Sequence, residues 1–351
     1  MNNVGIIIAG LSQLRLAMGT SIFLVAFIFA AFLAAIMFII QLSLVYAVIL
    51  SILFILFQYL IGPAIVRMST RLKYLNAEEN PWLESTVKGL ADKSGILMPR
   101  LATVPDNTPN AFVFGRTASD ATLAVHEGLL KNLNEDEVKS VIGHELGHIK
   151  HKDYIIMTII SALPLIAYLV ARSTWTVARF SGSSRKREES EMRTALFAVG
   201  IISYIIYIIS LLCVMRLSRL REHYADAYSA YITGSPRSLE SALAKITYGL
   251  SLSPKPTSGA RAFYIEDPAM AKQEIQTIME KKEEYDLNKD GVLDERELEL
   301  AMEKEAKSAW TKINTWFSTH PPTFKRILLL HEIEVEMESG RYTSDRVYTH
   351  V

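Results

Sequence analysis

The sequence predicts a mainly α-helical integral membrane protein: four transmembrane helices plus a soluble α+β domain with a small sheet. Three observations carry that prediction. Runs without a single charged side chain cover residues 16–66, 154–171 and 194–215. The segments beside them are charged and largely helical in pattern, with one short apolar stretch, NAFVFGR, bounded by turn residues. Two clusters of His and acidic residues, near 144–148 and 222–226, stand on either side of the second apolar pair. An even number of spans leaves both clusters in one compartment.

Residues 1–66 read as a two-helix transmembrane hairpin. The uncharged run Leu16–Val66 is too long for one span of about 20 residues and fits two, turning near Gln41 and Ser43. It also far exceeds the apolar core of a cleaved signal peptide. Residues 67–153 form the first half of the soluble domain. Within them Asn110–Arg116 predicts a strand, with Thr122–His126 as its neighbour. Residues 134–153 predict a helix, which Asn134 can cap with Glu137 as capping-box partner, and acidic residues fill its first turn. Residues 154–215 predict a second hairpin. Its first run, Tyr154–Ala171, is at the short limit and contains Pro164, so a shallow or protein-buried hairpin is the alternative. Residues 216–351 form the second half of the soluble domain, with a distinct segment at 269–302. Leu252–Pro268, rich in Ser, Pro and Gly, reads as a loop, and the tail after Met337 carries no motif.

On the 134–153 helix, His144 and His148 lie four residues apart and share a face. Two imidazoles at that spacing can grip one Zn²⁺. Glu145 is then placed to take a proton from a water that the metal acidifies. Ordinary surface histidines can produce the same letters, so a third ligand decides. The single cysteine, Cys213, sits in an apolar run, which excludes a cysteine-based structural site. A catalytic site uses three protein ligands and a water. In RLREHYADAYSA, Glu222 and Asp226 also share a helical face. Glu222 can complete a His-His-Glu set, and Asp226 can orient a ligand histidine through its second ring nitrogen. Spacing alone does not choose Glu222 over Glu127 or Glu137.

Several stretches then resemble one family in order. They are Asn110-Ala111-Phe112, Gly128-Leu129-Leu130, HELGHIKHKD from His144, REHYADA from Arg221 and STHPPTFKRI from Ser318. Together they are similar to the HtpX-type membrane zinc proteases, relatives of the CAAX prenyl-protein proteases. The resemblance implies a zincin-like catalytic domain, with His144, His148 and Glu222 as zinc ligands and Glu145 as base. It gives Asp226 the role of the supporting carboxylate. It implies substrate lying extended along a sheet edge, for which Asn110, Ala111 and Phe112 are the candidate strand and Thr122–His126 the other. His320, stiffened by Pro321 and Pro322, can donate to a developing oxyanion, or can belong to a loop packed on the zinc helix. Arg326 can pair with a buried carboxylate. His151 reads as a surface residue, and His126, His223, His331 and His350 receive no role.

A second pattern is DLNKDGVLDERE. Asp286, Asn288, Asp290, Val292 (by its carbonyl), Asp294 and Glu297 occupy the ligand positions of a twelve-residue EF-hand loop, with Gly291 at the sixth position. Oxygen ligands alone favour Ca²⁺ over Zn²⁺. An acidic solvated connection between helices is the plainer reading. The element departs from the usual family pattern.

Lys+Arg and Asp+Glu are 37 each, so no basic excess points to nucleic acid, and one cysteine excludes an intramolecular disulfide. The apolar runs make the lipid bilayer an expected partner, and the resemblance implies unfolded or damaged membrane proteins as substrates of a zinc endopeptidase of the cell membrane. The alternatives are a processing protease for lipidated or specific membrane substrates and a non-catalytic, calcium-responsive membrane scaffold. Lys and Arg near the span ends, including Arg67, Arg71, Lys150, Lys152, Arg216 and Arg219, place the catalytic domain in the cytoplasm by the positive-inside rule. The basic loop from Arg172 to Arg193 opposes that, unless it binds lipid head groups.

Overall fold

The structure is a computed structural model describing residues 16, 19–30, 44–76, 78–180, 187–252, 264–266, 268–290, 293–306, 318, 320–343 and 346–348. In chain order the longer elements are α1 (Gly19–Ala30) and α2 (Leu44–Thr70), β1 (Lys73–Tyr74), α3 (Pro81–Ser94), β2 (Arg100–Val104), β3 (Ala111–Phe114) and β4 (Thr122–His126). There follow α4 (Glu127–Asn132), α5 (Glu135–His151), α6 (Asp153–Phe180), α7 (Arg187–Thr233) and α8 (Pro236–Ser251). The last are α9 (Pro268–Glu280), α10 (Lys282–Tyr285), α11 (Glu295–Ala306) and α12 (Thr323–Glu338). Two compact units emerge: one holds Arg15–Gly62 and Ile156–Leu217, the other Pro63–Ile155 and Ser218–Val351. Single helices, α2, α6 and α7, run through each division.

Among the described residues of the apolar helices, three stretches are long and apolar enough to cross a membrane: Ser51–Thr70, Asp153–Arg179 and Arg193–Thr233. Of the first expected span only Gly19–Ala30 and Leu16 are described, and its expected turn at Gln41 and Ser43 lies outside the described residues. Large apolar side chains such as Ile52, Phe57, Leu165 and Ile201 stand exposed along these helices. Water would penalise that display, whereas hydrocarbon solvates it. Phe29, Ala167 and Val199 are buried at the centre of this unit. One expectation changes. The span 194–215 and the REHYADA helix are not separate elements but one 47-residue helix, α7. No proline interrupts it, and it stops only before Gly234, whose φ of 74° suits a residue without a Cβ.

The second unit is built round a four-stranded mixed sheet in the order β1-β2-β4-β3. β2 and β4 run parallel, while β1 and β3 pair antiparallel to their neighbours. β3 is therefore an edge, and β4 is internal. The predicted strand Asn110–Arg116 contracts to Ala111–Phe114. Asn110 flanks it: its backbone carbonyl accepts from His126 N at 2.9 Å, and its side-chain carbonyl accepts from Ile265 N at 2.8 Å. On one face Phe112 and Phe114 join Val66, Ala102 and Ala124. On the other, Ala111, Leu123 and Val125 join the main core.

Local signals position the helices that cover this face. Asn80 caps α3 by accepting from Leu83 N, Pro81 opens it, and Gly95 ends it in the left-handed region. The α5 capping box forms as expected: Asn134 Oδ1 accepts from Glu137 N at 2.9 Å, and Glu137 Oε2 accepts from Asn134 N at 2.8 Å. Val138, Val141, Ile142 and Leu146 then line one stripe of α5 and pack with Leu83, Leu239, Leu243 and Leu330. Each such burial contributes about 1.5–3 kcal/mol, and Leu146→Ala would cost about 2–5 kcal/mol.

One sequence expectation is corrected here. His151 is not a free surface residue. Its Nε2 lies 2.9 Å from the Tyr348 hydroxyl, and the rings of Tyr224, Tyr228 and Tyr348 surround it. The tail, which carries no motif, has a structural part: Val347 is buried in the main core, and Tyr342 and Tyr348 pack against it.

Candidate metal centre

α5 ends on Lys152 in the left-handed conformation, φ 59°, and Asp153 opens α6 at once. α7 lies across α5 at close range. A Cβ on Gly143 would stand 2.9 Å from Thr233 Cγ2 and 3.0 Å from Ser229 Oγ. One on Gly147 would stand 3.2 Å from Ala225 Cα. The two glycines, one immediately before each histidine, thus let α7 approach, and Ser229 Oγ donates to Ser140 O at 2.6 Å to close the contact. That approach carries Glu222 and Asp226 to the histidine face.

The three predicted ligands converge. His144 Nε2 and His148 Nε2 are 3.2 Å apart. Glu222 Oε2 lies 3.4 Å from the former, and Glu222 Oε1 3.5 Å from the latter. All three ligand atoms fall within 4.8 Å of one another. Neither Glu127 nor Glu137 shares this cluster; Glu137 instead accepts from Lys245 Nζ at 2.7 Å.

Behind each histidine stands a carboxylate. His144 Nδ1 is 2.9 Å from Asp226 Oδ1, and His148 Nδ1 is 2.8 Å from Asp153 Oδ2. Each carboxylate meets a buried arginine. Arg326 binds Asp226 with both Nε (2.9 Å) and Nη2 (2.7 Å). Arg221 Nε pairs with Asp153 Oδ1 at 2.9 Å. A carboxylate on Nδ1 holds the proton there, so each Nε2 offers its lone pair to the common point. Sequence reasoning placed Asp226 and Arg326 but not Asp153 or Arg221.

A zinc ion fits these residues. Two imidazole nitrogens and a carboxylate are a donor set zinc accepts. Glu222 Oε2 is buried and has no hydrogen-bond partner among the described residues, an arrangement costly without a ligand. Glu145 is buried beside the cluster, and burial pushes its carboxyl up to about 8. His320 also reaches the centre, with Nδ1 3.6 Å from Glu222 Oε2. Burial lowers its imidazole, but the Glu222 and Glu266 carboxylates together outweigh that and hold it above its usual value.

These groups line a cavity of about 90 Å³ whose wall includes Ala111, Phe112 and Val113 of β3. The edge strand therefore borders the centre, while β4 does not. Tyr264 and Ile265, from the stretch expected to be a loop, also line it, and Ile265 O accepts from Arg326 Nη1 at 2.8 Å. Residues 253–263 and 267 of that stretch lie outside the described residues. Of the calcium pattern, Asp286, Asn288, Asp290, Asp294 and Glu297 lie between α10 and the first turn of α11, apart from this centre, and Val292 lies outside the described residues.

Comparison with known proteins agrees with the geometry. The profile of peptidase family M48 matches residues 77–334. A protease HtpX homolog of Methanothermobacter thermautotrophicus is 42% identical over 194 residues, 55% of this chain and 70% of that protein. Homologs from Aeropyrum pernix and Pyrococcus furiosus are 32% and 34% identical, over 81% and 80% of this chain and 84% and 83% of theirs. A likeness to the crystal structure of S. mikatae Ste24p is slight, with TM-score 0.43 and 21% identity over 68% of this chain and 58% of that one.

Proposed function

Because this chain belongs to peptidase family M48, we propose that this membrane metalloprotease holds one zinc ion on His144, His148 and Glu222 and cleaves unfolded or damaged membrane proteins. The convergence of those three donors, each histidine backed by its own carboxylate, is the observation that carries the reading. When bound, the ion supplies Lewis acidity, which makes a water nucleophilic near neutral pH and polarises a peptide carbonyl.

The remaining work falls to the chain. Glu145 takes the proton from the attacking water and returns it to the leaving amine. His320, facing the centre from across Glu222, donates a hydrogen bond to the oxyanion as charge develops there. Asp226 and Asp153 keep the histidine rings from turning. β3, the last strand of the sheet, offers its edge to an extended peptide beside these groups. Pairing of that kind uses the main chain and makes little demand on side chains, which suits a substrate defined by being unfolded.

The test is cleavage of casein by detergent-purified, zinc-loaded protein beside Glu145→Gln. Cleavage by the wild type and none by a variant that retains its zinc is expected. Equal activity in both would sink the assignment of Glu145. For the substrate class, a membrane protein offered folded and then denatured is the comparison, and equal cleavage of the two forms would overturn the preference.

A further inference from the structure

The ring of His320 is held differently from the other two imidazoles of the centre. His144 and His148 each have a carboxylate on Nδ1, at 2.9 and 2.8 Å, which fixes the plane of the ring. His320 Nδ1 has no hydrogen-bond partner among the described residues, and Glu222 Oε2 stands off at 3.6 Å. The aim of the His320 ring therefore depends on where its backbone is held. That backbone is gripped closely. Ser318 Oγ donates to His320 O at 2.6 Å and accepts from His320 N at 3.2 Å, so one buried hydroxyl engages both main-chain groups of the histidine. Pro321 follows and keeps His320 out of the α region. Ser318 is placed in turn by Arg219, whose Nη1 donates to Ser318 O from a residue 99 positions earlier. A guanidinium N–H makes this a charge-assisted bond, stronger than a neutral one.

The geometry points to Arg219 as a positioning residue: through Ser318 it sets where His320 stands relative to the metal donors. Arg219 belongs to α7 and precedes Glu222 by three residues, so the two are neighbours on one helix face. A single turn of α7 then carries both the third metal donor and the clamp on His320. Their spacing is fixed by that turn and not by α12 alone, where Thr323 N donates to Glu274 Oε1 at 3.1 Å on the far side of the two prolines. Neither Arg219 nor Ser318 is among the residues that line the cavity, so their influence passes through His320. The influence is large in principle, because misplacing a reacting or stabilising group by about 1 Å can cost about 10²-fold in rate. Two requirements follow from the contacts. Position 219 needs a cation long enough to reach a carbonyl, and position 318 needs a hydroxyl. The proposal rests on the reading of His320 as the donor to the oxyanion.

The experiment measures kcat and KM on fluorescent casein with full-length, zinc-loaded protein in detergent. His320→Gln is the reference, expected to lower kcat by about 10²–10³-fold with KM little changed. Arg219→Met should lower kcat by about 10–10²-fold while KM and bound zinc stay near the wild type. Arg219→Lys, which can still donate to the Ser318 carbonyl, should recover most of that loss. Ser318→Ala is the smaller change, should the loss of the arginine disturb folding, and is expected to act in the same direction. The deciding readout is the double variant. Arg219→Met added to His320→Gln should cost little more than His320→Gln alone, because the group it positions is already gone. Multiplying losses in the double variant, a rise in KM with kcat kept, or full activity in both Arg219→Met and Ser318→Ala overturns the positioning role. Full activity in His320→Gln overturns the reading of His320 itself, and the proposal with it.

Discussion

His144 and His148 are the same residue one helical turn apart, yet the protein supports them by opposite strategies. His148 is held locally: its carboxylate, Asp153, lies five residues on, across the Lys152 turn. His144 is held from afar: Asp226 comes from α7, and the arginine that grips it comes from α12, a further 100 residues on. The His144 side is fully buried, whereas the His148 side chain retains 16% exposure. One half of the centre is therefore complete once α5 and α6 have met, apart from Arg221. The other exists only when α7 and α12 have docked.

The sharpest way to break the comparison is Arg326→Gln. It leaves Asp226 buried without its cation, at a cost of about 3–5 kcal/mol. Melting in detergent should fall further for this variant than for Arg221→Gln; an equal fall would mean that α12 is no more demanding a support than the start of α6. Next come Asp226→Asn and Asp153→Asn. Either should lower zinc affinity by about 10–100-fold, read by competition with a chromophoric chelator. Unchanged affinity in Asp153→Asn would leave His148 without need of its local partner.

A pH series sharpens the difference further, because the α12 side conceals two acidic side chains beyond those of the centre itself. Burial pushes both Glu266 and Glu274 up to about 8, each beside the Arg326 and Thr323 end of α12, and for Glu266 the neighbouring Glu274 adds to the rise. Their folded pKa lies above the ordinary 4.5, so the folded state holds these protons more tightly than the unfolded chain does. Stability from this source is full below about 4.5 and is lost as pH rises through about 8. Melting temperature should therefore decline between about pH 5 and pH 9, and Glu274→Gln should flatten the decline. A slope untouched by that variant would remove the pair from the account. The smallest effect belongs to the His148 side. Tyr348→Phe removes the hydroxyl beside His151 and should cost about 1 kcal/mol, seen as a small drop in melting with activity kept.

The local half of the centre was also the legible half. Asn134, Glu137 and the four-residue histidine spacing announce α5 and its face through interactions only a few residues long. Glu222 needed family resemblance, since many carboxylates have helical spacing and only docking selects one. Asp153 escaped notice because it reads as the polar limit of an apolar span, although that limit is where it meets His148. A usable signal for the α5–α7 contact was present: Gly143 and Gly147 repeat at four, as do Ala225 and Ser229, and matching ladders of small residues permit close helices. The tail gave no comparable sign. Tyr342, Val347 and Tyr348 have no periodicity, and their packing is a matter of three-dimensional fit. Likewise, the strand beside the cavity was visible in NAFVFGR, but its place at the sheet edge depends on a strand order that no local pattern encodes.

That edge carries a further implication. β3 is four residues long, so it can register a partner over only about 13 Å of extended chain. On the proposed reading, a reader with so short a ruler, touching mostly amides and carbonyls, would record whether a segment is loose and say little about which protein it came from. Turnover would then follow how often a client exposes a few free residues, and two clients of unrelated sequence but equal local opening would be consumed at similar rates.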